Sequence, residues 1–194
     1  MKIYSDEHIT YKVDNYYNIE YTINTTHFVK IKKPNDYKKI NSETQILIIN
    51  INKKLENIDN FNIKHIIFYQ KYNYELDYLP CSVTHVLFGK DFNKEILLDD
   101  RTNLTYLFFG IHFNQKVDNL PITIQVIAFG IYFNQSIYLL PSNLKFIIFG
   151  YYYNQPTDDL PNNVVEIIFG HNFNKSVCNL PLKLERITFN CCFN

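Results

Sequence analysis

From residue 61 onward, apolar residues fall at fixed places in a unit that returns about every twenty residues. With Leu144 taken as place one, they recur at places one, four, six, ten, fourteen and seventeen. Place four holds Ile66, Val86, Leu107, Ile127, Ile147, Ile167 and Ile187, and place six holds Phe68, Phe88, Phe109, Phe129, Phe149, Phe169 and Phe189. Residues two apart share one face of a strand. The pattern therefore predicts one strand per unit, with the phenylalanines stacked rung on rung as a ladder through the core. A fixed period near twenty is the mark of a repeat array, so a mainly β repeat solenoid is expected.

The polar and special residues punctuate that pattern. A glycine follows the place-six phenylalanine at Gly89, Gly110, Gly130, Gly150 and Gly170, in steps of 21, 20, 20 and 20. A glycine there ends the strand most simply by adopting a positive φ. An aromatic at place ten and an asparagine follow: Tyr72-Asn73, Phe92-Asn93, Phe113-Asn114, Phe133-Asn134, Tyr153-Asn154, Phe173-Asn174 and Phe193-Asn194. An inward amide can satisfy backbone groups that a turning coil leaves without ladder partners, and can bond its copies above and below. Leu-Pro pairs at Leu79-Pro80, Leu120-Pro121, Leu140-Pro141, Leu160-Pro161 and Leu180-Pro181 close the units on an outer wall, where a missing donor is tolerated. Asp100-Arg101 replaces that pair where the step lengthens to 21, a locally rebuilt turn.

Residues 44–60 read as a degenerate first unit, with Gln45 to Ile49 as strand and Ile51-Asn52 in the aromatic-asparagine place after a two-residue deletion. Residues 1–43 carry no copy. Their short β-branched and aromatic runs, broken by Asn-rich stretches and Pro34, predict strands and turns. The expected organisation is thus an N-terminal β-rich capping segment, 1–43, that covers the open end of the first repeat, and a solenoid, 44–194, with clear units from 61. Forty residues bury too little core to argue for a separate domain.

The repeated residues resemble the FNIP repeat, known from social amoebae and from giant viruses of amoebae. The shared pattern is L-P-x-x-L-x-x-[LIV]-x-F-G-x-x-F-N-x-x-[VIT], with Tyr153-Asn154-Gln155-Pro156 nearest the signature tetrapeptide. It covers about residues 61–194 in six successive copies. The resemblance implies a leucine-rich-repeat-like, curved parallel β-sheet with one strand per repeat. The asparagine stands two places later than in leucine-rich repeats. Many family members carry an N-terminal F-box, but residues 1–43 show no Leu-Pro-led helical pattern, so a ubiquitin-ligase role is not carried over.

Charge and composition narrow the partners. Nineteen basic residues balance nineteen acidic ones, which argues against nucleic acid or an anionic membrane as partner. The run Ile46 to Ile51 is too short to span a bilayer and the first residues hold no apolar signal core, so a cytoplasmic protein is expected, in the host cell if the source is viral. Cys81, Cys178, Cys191 and Cys192 form no disulfide framework and no CxxC pair. Phosphate-loop, HExxH and GxSxG patterns are absent, and no catalytic residue or cofactor is expected.

The strand face opposite the core is set by places three and five. Place three runs His65, His85, Tyr106, Val126, Phe146, Glu166 and Arg186; place five runs Ile67, Leu87, Phe108, Ala128, Ile148, Ile168 and Thr188. At about 4.8 Å per rung this is an apolar and aromatic stripe roughly 30 Å long. It is either an open groove for a protein partner or a face covered within the molecule, for instance by the N-terminal segment. His65 and His85 are neighbours there, but a metal site needs a third ligand; Asp91 and His112 are expected in turns, away from that face, so no metal is expected. The favoured reading is a non-catalytic repeat scaffold for protein–protein interaction through this face. The alternative is a self-assembling structural protein that forms homo-oligomers through its C-terminal end, where Cys191, Cys192 and Phe193 lie.

Overall fold

The computed structural model describes residues 2–14, 19–56, 58–98 and 101–190. Every predicted rung is a strand: β5 (Ile46–Ile49), β6 (His65–Phe68), β7 (His85–Leu87), β8 (Tyr106–Phe108), β9 (Val126–Ala128), β10 (Phe146–Ile148), β11 (Glu166–Ile168) and β12 (Arg186–Thr188). They pair in parallel, each place on its own copy, as Phe146 on Val126 and Ile147 on Ile127. The degenerate unit is in register too, since Ile46 pairs with His65 and Ile49 with Phe68. The result is a solenoid of the leucine-rich-repeat-like kind, with almost no helix.

Places four and six point into the coil. The place-six and place-ten rings form two adjoining columns: within a rung the pair Phe129 and Phe133 lies 3.7 Å apart, and between rungs Phe109 to Phe129 is 5.4 Å and Phe113 to Phe133 is 6.0 Å. All four rings are buried. Rings at such spacings lose nearly all contact with water and add offset-stacking energy to their area burial.

The glycines serve a different purpose from the expected turn. None of the five has a positive φ. Instead, each runs against the backbone of the preceding rung, Gly89 against Tyr69 and the other four against the preceding glycine: a Cβ on Gly130 would stand 1.8 Å from the carbonyl oxygen of Gly110, and one on Gly150 would stand 1.8 Å from that of Gly130. Close backbone approach, not left-handed geometry, excludes a side chain here.

The asparagines form a ladder, as expected, by one specific bond. Oδ1 of each accepts the backbone N–H of the next, from Asn52 to Asn73 at 3.2 Å and from Asn93 through Asn174 at 2.9 Å per step. Gln135 and Gln155 add Nε2 donors at 3.2 Å to the same oxygens. The amides are less inward than expected, being half-buried at Asn114, Asn134 and Asn154 and exposed at Asn73 and Asn174. Proline carbonyls at Pro121, Pro141 and Pro161 accept from Ile124, Leu144 and Val164 and so tighten the closing turns.

The N-terminal segment departs from expectation in two ways. β4 (Phe28–Ile31) is itself a rung, parallel to β5, so the nine-stranded sheet runs from β12 to β4 and begins inside residues 1–43. A 3-10 turn over Pro34–Lys39 follows it, and Ile31, Ile40 and Tyr37 join the end of the core. The earlier strands, β1 (Lys2–Ser5), β2 (Ile9–Val13) and β3 (Ile19–Ile23), form a separate three-stranded antiparallel sheet in the order β1-β2-β3. That sheet does not cap the end of the stack. It lies on the face of the parallel sheet, because β2 buries every second residue, Ile9, Tyr11 and Val13, and the parallel strands are apolar on both faces.

Candidate functional site

The place-three and place-five face is mostly covered by β1–β3. His65, Ile67, Leu87, Phe108, Val126, Ala128, Ile148 and Glu166 are buried, and His85, Tyr106, Phe146 and Ile168 are half-buried. Only Arg186 and Thr188, on β12, are exposed. The open groove along the whole stripe is therefore corrected: its apolar residues form a second core with Ile9, Tyr11 and Val13. The N-terminal strands cross the rungs. Tyr11 packs its ring 5.0 Å from Phe108, Tyr4 lies 5.8 Å from the same ring, and Lys2 reaches Glu166 of β11 at 2.5 Å.

Under this cover lies a cluster that the sequence separates widely. The turn between β1 and β2 brings Asp6 to His65 and His85, with one ligand atom from each of the three within 4.8 Å of the other two. His65 is fully buried. Its Nδ1 meets the Tyr11 hydroxyl at 3.1 Å, and its Nε2 lies 2.9 Å from Asp6 Oδ2. That second contact is one of proximity: the N–H direction misses the oxygen, so Nε2 has no aligned hydrogen-bond partner. His85 is packed between rings, 4.4 Å from His65 and 4.2 Å from Tyr106, and its Nδ1 is 2.8 Å from Thr84 Oγ1. Asp6 Oδ1 accepts the backbone N–H groups of His8 at 2.8 Å and Ile9 at 3.0 Å, which leaves Oδ2 facing the histidines.

Burial sets the protonation of this cluster. It pushes His65 down to about 4 against the opposing pull of Asp6, and it pushes His85 down to about 3 with help from His65. Asp6 is held below its ordinary value by backbone hydrogen bonds from His8 and Ile9 and by the histidines, which together outweigh its partial desolvation. Two neutral imidazoles thus face one carboxylate at neutral pH. The chemistry open to them is ligation rather than acid–base work. Asp91 and His112 pair with each other at 3.4 Å on an outer turn and take no part. The third ligand was hidden in the sequence because Asp6 sits 59 residues before His65 in a segment without the repeat.

Among the described residues, two open surfaces adjoin the glycine turns. At the outer turn after the glycine, place nine sets His112 tilted against Tyr132 at 5.6 Å and stacks Tyr132 on Tyr152 at 5.2 Å, and place eight stacks Tyr151 on His171 at 4.8 Å. Tyr132 is 48% exposed and Tyr152 43%. A cleft of about 220 Å³ lies between Ile19 and Tyr21 of β3 and the glycine ends of β6–β8. Cys191, Cys192, Phe193 and Asn194 lie outside the described residues.

The glycine contacts and the asparagine ladder give physical meaning to a repeat that is also recognised by comparison. A family model described as FNIP Repeat matches residues 113–152 and 153–192. Residues 113–192 carry two FNIP repeats. The same asparagine ladder reaches back before residue 113, through Asn93 and Asn73 to Asn52. Among solved structures, the chain is similar to CroV588, a giant-virus protein described as a novel circular LRR protein, with 29% identity and a TM-score of 0.61. The likeness covers 79% of this chain and 28% of that one, so the chain spans a little over a quarter of that protein's length. No curated protein matches. Among the described residues no helix is long and apolar enough to cross a membrane.

Proposed function

We propose that this FNIP-repeat chain is a non-catalytic scaffold that binds a protein partner. The observation that carries the reading is the row of exposed aromatics in ring contact, His112, Tyr132, Tyr152 and Tyr151, on the outer turns. Their backbone is fixed by glycine and asparagine contacts while the residues themselves differ from rung to rung, as Lys90-Asp91, Ile111-His112, Ile131-Tyr132 and Tyr151-Tyr152. Rigid rows of tyrosine supply contact area at low entropic cost, and tyrosine is enriched among the residues that dominate protein interfaces. The apolar strand face supports the reading only at its far end, around Ile168, Arg186 and Thr188, since its own N-terminal sheet fills the rest. Free thiols at Cys81 and Cys178 fit an intracellular setting.

A photo-crosslinking residue placed at Tyr152 tests this in the source cell. A discrete crosslinked protein that disappears with Tyr132→Ser, while the variant keeps its melting temperature, supports the scaffold reading. Crosslinks identical to those from a residue at Lys183, on another surface, would remove it. A second reading, stacking of copies through β12, rests on that strand having a neighbour on one side only among the described residues. Light scattering at high protein concentration separates the two, since a strict monomer rules out stacking.

A further inference from the structure

We propose that Asp6, His65 and His85 form a binding site for a divalent transition-metal ion, zinc by its donor set, which pins the β1–β2 turn to rungs β6 and β7. The argument is independent of the scaffold reading. Two imidazoles and a carboxylate are a recurrent zinc donor set, and imidazole disfavours magnesium and calcium. With ligand bonds of about 2.0–2.1 Å, donors around a tetrahedral ion stand about 3.3 Å apart. His65 Nε2 and Asp6 Oδ2 already stand 2.9 Å apart, and no pair among the three donor atoms exceeds 4.8 Å. A movement of about 1.5 Å at most closes the set around an ion.

The surroundings are those of a built site. Ligating histidines usually hold their second ring nitrogen by a hydrogen bond, which fixes the tautomer. Here Tyr11 Oη holds His65 Nδ1 and Thr84 Oγ1 holds His85 Nδ1. Thr84 also has the Lys64 carbonyl at 3.3 Å as an acceptor for its own proton, so its oxygen can accept from His85 Nδ1–H, the tautomer in which Nε2 carries the lone pair a metal needs. The two backbone donors on Asp6 Oδ1 orient the carboxylate with Oδ2 inward. His65 Nε2, buried and without an aligned partner, is the kind of orphan that a bound ion would satisfy. The fourth position falls to water or to His8, whose ring lies 6.1 Å from that of His65. Since Tyr11 closes over the histidines, the ion would be structural, a cross-link between layers.

Chelator-treated protein titrated with zinc by calorimetry, and with cobalt by visible absorption, tests the site. One equivalent bound, a tetrahedral cobalt spectrum without a thiolate charge-transfer band, and a zinc-dependent rise in melting temperature are expected. Asp6→Asn and His85→Gln, both at partly accessible positions, should each weaken binding at least tenfold, and Tyr11→Phe should weaken it by 10–100-fold through the lost hydroxyl. Absence of stoichiometric binding, a thiolate band that places the ion on cysteine, or unchanged affinity in Asp6→Asn and His85→Gln overturns the proposal. Should either variant fail to fold, the wild-type cobalt spectrum still decides between nitrogen–oxygen ligation and none.

Discussion

The carbonyl oxygen of Gly110 occupies the space that a side chain on Gly130 would need, 1.8 Å from the position of its Cβ. Neither group can move without breaking the parallel register, because both are main chain. Gly130→Ala is therefore expected to destabilise by about 3 kcal/mol or more, at the upper end of overpacking costs. Urea denaturation measures it. A loss below about 1 kcal/mol would show that the rungs can separate locally.

Asn134 Oδ1 takes two donors, the Asn154 N–H at 2.9 Å and Gln155 Nε2 at 3.2 Å. Asn134→Ala removes the acceptor and leaves a half-buried N–H unpaired, at a cost of about 1–3 kcal/mol. Hydrogen exchange reads the site directly. The Asn154 amide should lose protection in the variant, while amides two rungs away keep theirs.

Burial raises the tyrosines of the place-ten column, Tyr72 and Tyr153, above their ordinary value of 10.0. Their folded pKa exceeds the unfolded one, so their contribution is fully present below about pH 10 and is lost as pH climbs toward the folded value. Stability should fall on the alkaline side of pH 10. Tyr153 has an outlet, its hydroxyl donating to the Pro156 carbonyl at 3.3 Å, whereas the Tyr72 hydroxyl is buried without an aligned partner. Tyr72→Phe, which copies the residue found at Phe92 and Phe113, should flatten the alkaline loss and be neutral or stabilising at pH 7. Thermal melts across pH 7–11 check both.

Phe108, at place five, is buried and Tyr152, at place nine, is exposed, so the two should respond oppositely. Phe108, fully buried against Tyr4 and Tyr11, should not tolerate Phe108→Asp, because an unpaired carboxylate would sit between two sheets. Tyr152→Ser, on the open turn, should change stability by less than about 0.5 kcal/mol. Circular dichroism melts of the two variants settle the comparison. A folded Phe108→Asp protein would mean that β1–β3 can lift off the face.

Much of the solenoid was legible because a period of twenty overrides local ambiguity: one weak strand such as Ile46–Ile49 is readable only through its copies. The asparagine ladder followed from counting backbone donors. The glycines were misjudged because φ freedom and close approach favour the same residue, and only the spacing of rungs separates them. The fate of the strand face was open for a related reason. Ile148 and Phe108 read as apolar whether they meet a partner or their own chain, and nothing local in Ile9, Tyr11 and Val13 says which sheet they cover. The Asp6–His65–His85 cluster was invisible because it depends on that docking.

A stack in which each rung touches only its neighbours melts piecemeal, as a row of weakly linked units. The N-terminal sheet changes this, because it holds residues as far apart as Lys2 and Glu166 in one contact. Rungs from β6 to β11 then share a common brace and should lose structure together. The same brace imposes an order on biosynthesis: β1–β3 leave the ribosome before the rungs they cover and cannot take their full seat until β11 has formed. Until then Tyr4, Ile9, Tyr11 and Val13 are an apolar sheet waiting for its floor, and the final docking step should limit the rate of folding.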